Sequence, residues 1–392
     1  MNGKAHTWQR IWDAEMKPAT LAFVRQRFAE YYGNAALIAP PAIEQREWGY
    51  VLFSPGYPEI HMRRHIGFAG KDDALAYIRN LVPAHVYYSS AYYERPDAGN
   101  MKDKGWCGAD LIFDLDADHI MRGPFDAMLA RVKVETEKLL AMLTDELGID
   151  RKAIEVVFSG GRGYHIHIRD IAFRNWGSAE RREMIDYVCG IGIDPAAMLG
   201  GRDRPASGWQ ARYRETLSEY LTWLGTLPDE EATAHLSAVP GIGKTNAGRI
   251  LKHREEIIRD VTGAPNPRLF KKYPGLSELV AAEEGEFRRR LRERAALADE
   301  PVTTDTKRLI RMPTSLHGGS GMRVQPIEAR DFAAFDPLVD AVVFGTRNVR
   351  IDVTLPRPTP MLGSTYQLTK GITTVPEAVA VFLCCRGMAE IA

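Results

Sequence analysis

The sequence predicts an α/β (α+β) fold in which a core of mixed sheets is interrupted by a helical insertion subdomain. Three features carry this expectation. Short runs rich in β-branched and aromatic residues, bounded by Gly and Pro, alternate with helical patterns from Arg46 to Ile168. From Trp209 to about Ala298 almost everything reads helical, with no strand pattern. After Asp299 the β pattern returns. The core is therefore expected in two parts, residues 1–189 and 299–392, with residues 190–298 as the insertion, and a chain of 392 residues has room for both.

Bulk properties exclude several classes. The 51 basic and 51 acidic side chains cancel, so any nucleic-acid footprint must be local. Cys107, Cys189, Cys384 and Cys385 show neither disulfide-framework nor zinc-ligand spacing, which suits a reducing compartment. The first 18 residues lack the apolar core of a signal peptide, and there is no 18-residue apolar run for a membrane span. The expected location is cytoplasmic, with no membrane contact.

In chain order, Thr20–Tyr32 places Leu21, Val24, Phe28 and Tyr31 at helical spacing and ends at Gly33. Arg46–Phe53 (REWGYVLF) and Glu59–Phe68 (EIHMRRHIGF) flank a Pro/Gly turn and predict a hairpin. Arg63, Arg64 and His65 form a cationic group on its second strand, of the kind that also discourages edge pairing. Lys71–Leu81 predicts a helix, Ala84–Tyr93 an aromatic-rich strand, and Asp126–Leu147 a long helix stopped by Gly148. Ala153–Ser159 and Tyr164–Ile168 predict strands joined by a tight Gly160–Gly161–Arg162–Gly163 turn. Ser178–Val188 predicts a Ser-capped amphipathic helix. The Gly- and Pro-rich stretch from Gly190 to Gly208 marks a boundary. In the insertion, Glu286–Arg294 is the densest basic run and reads as a solvated helix face. Asp299–Val324 packs charge, Pro and Gly in a way no helix is expected to hold. A strand around Val349–Leu355 and a helix from Pro376 close the chain.

The chemistry concentrates in Gly105–His119, GWCGADLIFDLDADH. On a strand, Leu111, Phe113 and Leu115 point one way, and Asp110, Ile112, Asp114 and Asp116 the other. Neighbouring carboxylates on one face of an apolar strand repel, and desolvation adds to the cost. Divalent cations relieve that cost. Oxygen ligands suit Mg²⁺ or Mn²⁺, and two such ions close together are the usual apparatus of nucleotidyl transfer. An edge strand with a solvated acidic face is the competing explanation. The Ser159–Gly163 turn offers flexible backbone, a hydroxyl and a guanidinium fork to a phosphate, ahead of His165 and His167 on one strand face. A second loop with Arg, Ser, His and paired glycines follows Asp299.

Five stretches together resemble the catalytic (small) subunit of the archaeal and eukaryotic DNA primases, most closely the archaeal form. REWGY resembles the family's Arg-Glu-Phe-Gly element, with Trp48 as the aromatic, and MRRHIGF its Arg-His-x-x-Phe strand. KGWCGADLIFDLDADH resembles the first catalytic motif, FSGGRGYHIHI the second, and RLIRMPTSLHGGSG the third. The resemblance implies a primase-type core making short primers on a single-stranded DNA template from nucleoside triphosphates. It implies that Asp114 and Asp116 hold two Mg²⁺ or Mn²⁺ ions. Asp299, 18 residues before His317, would be the third carboxylate, in preference to Asp305. It further implies that Ser159, Arg162 and His165 grip the triphosphate, Arg311 and His317 contact it from the other side, and Arg64 completes the cationic wall. Glu47 would orient one of these basic groups. A primase large subunit is the implied partner in a heterodimer.

The chain departs from that pattern after the first motif, where the family carries a zinc module. Residues 119–134 hold one histidine and no cysteine, and Cys107 with His119 cannot make four ligands, so no zinc is expected. Two other functions are weighed: a primase-like repair polymerase that extends existing ends, and a catalytically dead nucleic-acid-binding subunit. Gly241–Thr245 (GIGKT) is not a phosphate loop, since Ala238 stands where that motif requires Gly. Ala238–Lys252 resembles a helix–hairpin–helix element, and its glycines suit either a template contact or a plain tight turn.

Overall fold

The computed structural model describes residues 15–54, 56–58, 61–199, 206–263 and 268–392, leaving aside the side chain of residue 119. The N-terminal segment, residue 55 of the hairpin turn, the first two residues of the expected second strand (59–60) and part of the boundary stretch (200–205) lie outside these. So does the side chain of His119 considered for zinc.

Strands β1 (Trp48–Leu52), β2 (Met62–Ile66), β3 (Pro83–Ser89), β4 (Ala91–Tyr93), β5 (Trp106–Ala109), β6 (Leu111–Asp116), β7 (Ile154–Phe158), β8 (Gly163–Ile168), β9 (Leu309–Arg311) and β10 (Gln325–Ile327) build the part of the fold that carries the candidate site. One sheet has the order β2-β1-β3-β9, a second β10-β7-β8-β6, and β4 pairs with β5. The ladders are antiparallel. The expected α/β (α+β) architecture is therefore realised as α+β.

Local sequence explains most of these elements. On β6 the alternation holds: Leu111, Phe113 and Leu115 are fully buried, while Asp114 and Asp116 are half-buried on the other face. On β8 all six residues are buried, because the strand lies between β7 and β6 and both of its faces are covered. The single strand expected over Ala84–Tyr93 is two strands. Arg46 donates to the carbonyls of Ser89 (2.9 Å) and Ser90 (2.7 Å) where the chain leaves β3, and β4 beyond them pairs with β5. Arg46 also pairs with Asp110 at 2.8 Å, both fully buried, and Tyr92 donates to the same carboxylate at 2.7 Å. Asp110 is thus spent on structure and takes no part with Asp114 and Asp116.

Asp299–Val324 does hold a helix, contrary to expectation: Glu300–Thr304 follows Asp299 directly. Pro301 is tolerated because it stands in the first turn, where its missing N–H is not needed. Near the C-terminus, strands Asn348–Val353, Gly371–Pro376 and Ala389–Ile391 form a small antiparallel sheet. The helix Glu377–Cys385 is buried from Ala378 to Cys385, as its uniformly apolar sequence requires.

The chain divides into two compact units. The first comprises residues up to 134, 150–182 and 299–392; the second comprises 135–149 and 183–298. The second is helical among the described residues and has its own core, in which Tyr213, Leu217, Leu221, Leu236, Ile250, Ile257 and Leu276 are essentially inaccessible. Its helices Asp229–Ser237 and Lys244–Lys252 are joined by a turn with Gly241 at φ +88°, and Ala247 and Ile250 anchor the second helix in this core. Gly241 is accounted for by that positive φ. Among the described residues no helix is long and apolar enough to cross a membrane.

Candidate active site

Within the first unit, β6, β8 and β9 with their adjoining loops border a cavity of about 300 Å³, whose lining includes Asp114, Asp116, Ser159, Arg162, His165, Arg308, Arg311, His317 and Arg386. A cavity of this size, with mostly polar walls, suits a small charged ligand.

The acidic side comes from β6. Asp114 is the register partner of His165, and Asp116 that of Gly163. The Asp114 carboxyl is pushed up to about 7, first by burial and then by the charges of Asp116 and Asp299, against the opposing pull of Arg308 and Arg311. Asp299 reaches this group through its backbone, its N–H donating to the Asp114 carbonyl at 2.8 Å. Asp305, the rival, is exposed and accepts the Lys307 N–H at 2.9 Å. Asp116 caps the short helix Ala117–Ile120 by accepting the Asp118 N–H at 3.1 Å. Among the described residues no group of three or more His, Cys, Asp or Glu side chains is drawn together as a ready ligand set. The donor chemistry nonetheless fits a hard divalent cation: the carboxylates offer oxygen only, and the raised Asp114 pKa marks a place where added positive charge is stabilising.

The turn from Ser159 to Gly163 forms the next wall. Ser159 Oγ accepts the N–H groups of Gly161 (3.3 Å) and Gly163 (3.2 Å), which leaves its hydroxyl hydrogen for a ligand. Gly163 is required here, since a Cβ would meet the Leu115 carbonyl oxygen at 2.2 Å. Gly160 has φ +74° and lies against His317, where a Cβ would come within 2.8 Å of the His317 Cβ. Arg162 is paired with Asp118 at 2.5 Å. Beside both, Arg386 packs over Phe125 and Phe382 and has its pKa lowered to about 10, chiefly by burial and then by Arg162.

The histidines are neutral. Burial, reinforced by Arg311, takes His165 down to about 3 and His317 well below its ordinary value. His317 Nδ1 accepts the Gly319 N–H at 3.1 Å, so the proton resides on Nε2, the atom that lies beside the Gly161 turn. His165 Nδ1 has no hydrogen-bond partner among the described residues.

The sequence-derived residues Asp114, Asp116, Ser159, Arg162, His165, Arg311 and His317 thus border one cavity, and Asp299 adjoins it. Arg64 is placed differently. It lies on β2, three strands from Arg311, and its Nε donates to the fully buried Glu47 at 3.0 Å. Glu47 also faces His65 (3.5 Å) and Lys104 (3.7 Å), so it does orient a basic group, but that group is not part of the cavity lining. Sequence reasoning missed Arg308, Arg386 and Tyr87. Arg308 had a usable signal, the basic Lys307–Arg308 step before the Leu-Ile-Arg strand. Arg386 had none, because it follows the C-terminal helix, more than two hundred residues from Arg162 in sequence, and only folding sets the two at one cavity.

A family model described as the DNA primase small subunit matches residues 113–329, a span that holds every one of these site residues except Arg64, Tyr87 and Arg386. The DNA primase small subunit PriS of Methanoregula boonei is 66% identical over 377 residues, covering 96% of this chain and all of the relative. That of Methanosphaerula palustris is 52% identical, covering 96% of this chain and 99% of the relative. That of Methanospirillum hungatei is 50% identical over 380 residues, covering 96% and 98%. With motifs, cavity and near full-length similarity in agreement, the chain belongs to the DNA primase small subunit family.

Proposed function

We propose that this chain is the catalytic subunit of a DNA primase, a nucleotidyltransferase that builds short primers on single-stranded DNA from nucleoside triphosphates during DNA replication. The observation that carries this proposal is the meeting of Asp114 and Asp116 with the cationic groups Arg162, Arg308 and Arg311 at a single cavity, with Asp299 adding its charge beside Asp114. In this proposal the three carboxylates hold two Mg²⁺ or Mn²⁺ ions, with no zinc. Such ions lower the pKa of an attacking 3′-hydroxyl and offset charge on the pyrophosphate leaving group. The protein supplies position. Ser159, Arg162, His165, Arg311 and the Nε2–H of His317 bind the triphosphate, and donors already fixed by turns and strands stabilise the charge that develops on it. No covalent intermediate is required. Neutral His165 and His317 donate without adding to the charge of the arginines.

In keeping with the family, the proposed partner is a primase large subunit, and residues 190–298 are the proposed insertion in the catalytic core. The test is primer synthesis on single-stranded DNA with labelled ATP or dATP and Mg²⁺ or Mn²⁺, with and without a large subunit. Labelled oligomers that require both template and divalent ion are expected. Their absence under every one of these conditions would overturn the proposal.

A further inference from the structure

His85 lies on β3, outside every stretch from which a site residue was expected, and it is only 4% exposed. It touches segments that converge on the cavity. Its Nδ1 is 2.5 Å from Arg311 Nη1 and also accepts the Gly318 N–H at 3.3 Å. Its ring meets that of His317 edge to face, with centroids 5.0 Å apart. Two residues on, and so on the same face of β3, Tyr87 is the register partner of Arg311 and sets its ring 4.9 Å from the guanidinium. The fit is close: a Cβ on Gly318 would lie 2.9 Å from His85 Nε2.

A nitrogen approached by two N–H donors must present its lone pair, so Nδ1 is unprotonated and the imidazole is neutral. Burial and the adjacent Arg311 hold it in that form. The choice of partner matters electrostatically. Arg162 is tied to the carboxylate of Asp118 at 2.5 Å, which compensates its charge. Arg311 is held by an uncharged acceptor and an aromatic face, and among the described residues it makes no ion pair. It is fixed in place without a directly paired carboxylate, so its charge is open to an anion.

We propose that His85 is a positioning residue for the triphosphate, fixing Arg311 and the His317–Gly318 turn in one relative geometry. This rests on the assignment of Arg311 and His317 to phosphate binding. The proton stays on Nε2, and only the acceptor nitrogen does the positioning.

The experiment measures nucleotide KM and kcat in primer extension by the full-length chain on single-stranded DNA. His85→Asn keeps an acceptor near the Nδ1 position, His85→Gln moves it towards Nε2, and His85→Leu removes it. His85→Gln and His85→Leu should raise the nucleotide KM about ten-fold with kcat within about two-fold of wild type. His85→Asn should restore KM to within about three-fold. Should His85→Leu fail to fold, the Asn and Gln variants still make the comparison at matched polarity. In an Arg311→Ala background, His85→Gln should add little further loss. A wild-type KM in His85→Gln, or its full effect persisting without Arg311, overturns the positioning role. Loss of kcat alone, in Asn and Gln variants equally, also overturns it, since that marks a role in folding only. If Arg311→Ala itself leaves KM unchanged, the phosphate assignment fails; if it raises KM while His85→Gln does not, only the role of His85 fails.

Discussion

Asp114 and His165 face each other across β6 and β8, with the imidazole Nε2 3.5 Å from the carboxylate Oδ1. At neutral pH they do not form an ion pair. Burial is the leading cause of both shifts and favours the uncharged form of each, raising the carboxyl to about 7 and lowering the imidazole to about 3. The arginines pull the two groups the same way, stabilising a carboxylate and opposing an imidazolium. The negative charge of Asp114 is therefore costly, and added positive charge is what relieves it.

Asp114→Asn should abolish primer synthesis yet stabilise the metal-free protein. The folded carboxyl titrates above its unfolded value, so its favourable contribution is complete below about pH 4 and is lost as pH rises through about 7. Melting curves should accordingly show the variant above wild type at pH 8, by about 1–2 °C for each kcal/mol relieved, and level with it near pH 4. Mg²⁺ should raise the wild-type Tm and not that of the variant. Wild-type synthesis by Asp114→Asn would refute the metal assignment.

Asp299→Asn should match Asp114→Asn in lost activity, whereas Asp305→Asn should stay close to wild type. Asp299 adds to the charge on Asp114 and bonds its backbone, while the exposed Asp305 caps a turn. Assayed side by side, the reverse pattern would exchange the two.

Arg162→Ala and His317→Ala should chiefly raise the nucleotide KM. Each removes a phosphate donor worth roughly 1.5–3 kcal/mol, or about ten- to a hundred-fold. Initial-rate titrations with nucleotide provide the check, and unchanged kinetics in both variants would dismiss the pocket.

Acid should unfold the protein through its buried histidines. His85, His165, His167 and His317 all have depressed pKa values, so their contribution is complete above about pH 6.5 and is lost as pH falls from there. His167 is fully buried and reached by Tyr88 Oη at Nδ1, 3.3 Å away. Urea titrations between pH 7 and 5 should show a slope shallower in His167→Gln by up to about 1.4 kcal/mol per pH unit. Parallel slopes would mean that His167 titrates normally.

Arg46→Ala should cost about 3–5 kcal/mol, because it removes the cation paired with the buried Asp110 carboxylate and a donor to each of the Ser89 and Ser90 carbonyls. Denaturant midpoints give the number. A loss under about 1 kcal/mol would mean that water or a neighbour replaces the guanidinium.

Much of the site could be read from short stretches. The β6 alternation, the glycines of the 159–163 turn and the order of the five motifs are local patterns. The misreadings have local causes too. Ala84–Tyr93 looks like one strand because nothing in its composition announces that Arg46 will take the Ser89 and Ser90 carbonyls. Pro301 looks like a helix breaker until its place in a first turn is known.

By itself, the sequence determined the paired carboxylates, the phosphate-friendly turn, the helical stretch and the family, since these depend on spacing over a few residues and on recurring motifs. Only the tertiary structure decided that Asp299 lies by Asp114, that Arg64 pairs with Glu47, and that His85 and Arg386 belong beside Arg311 and Arg162. These are contacts between residues far apart in sequence. They arise from how sheets and helices bury their apolar faces against one another, and side-chain periodicity alone carries no information about which faces will meet.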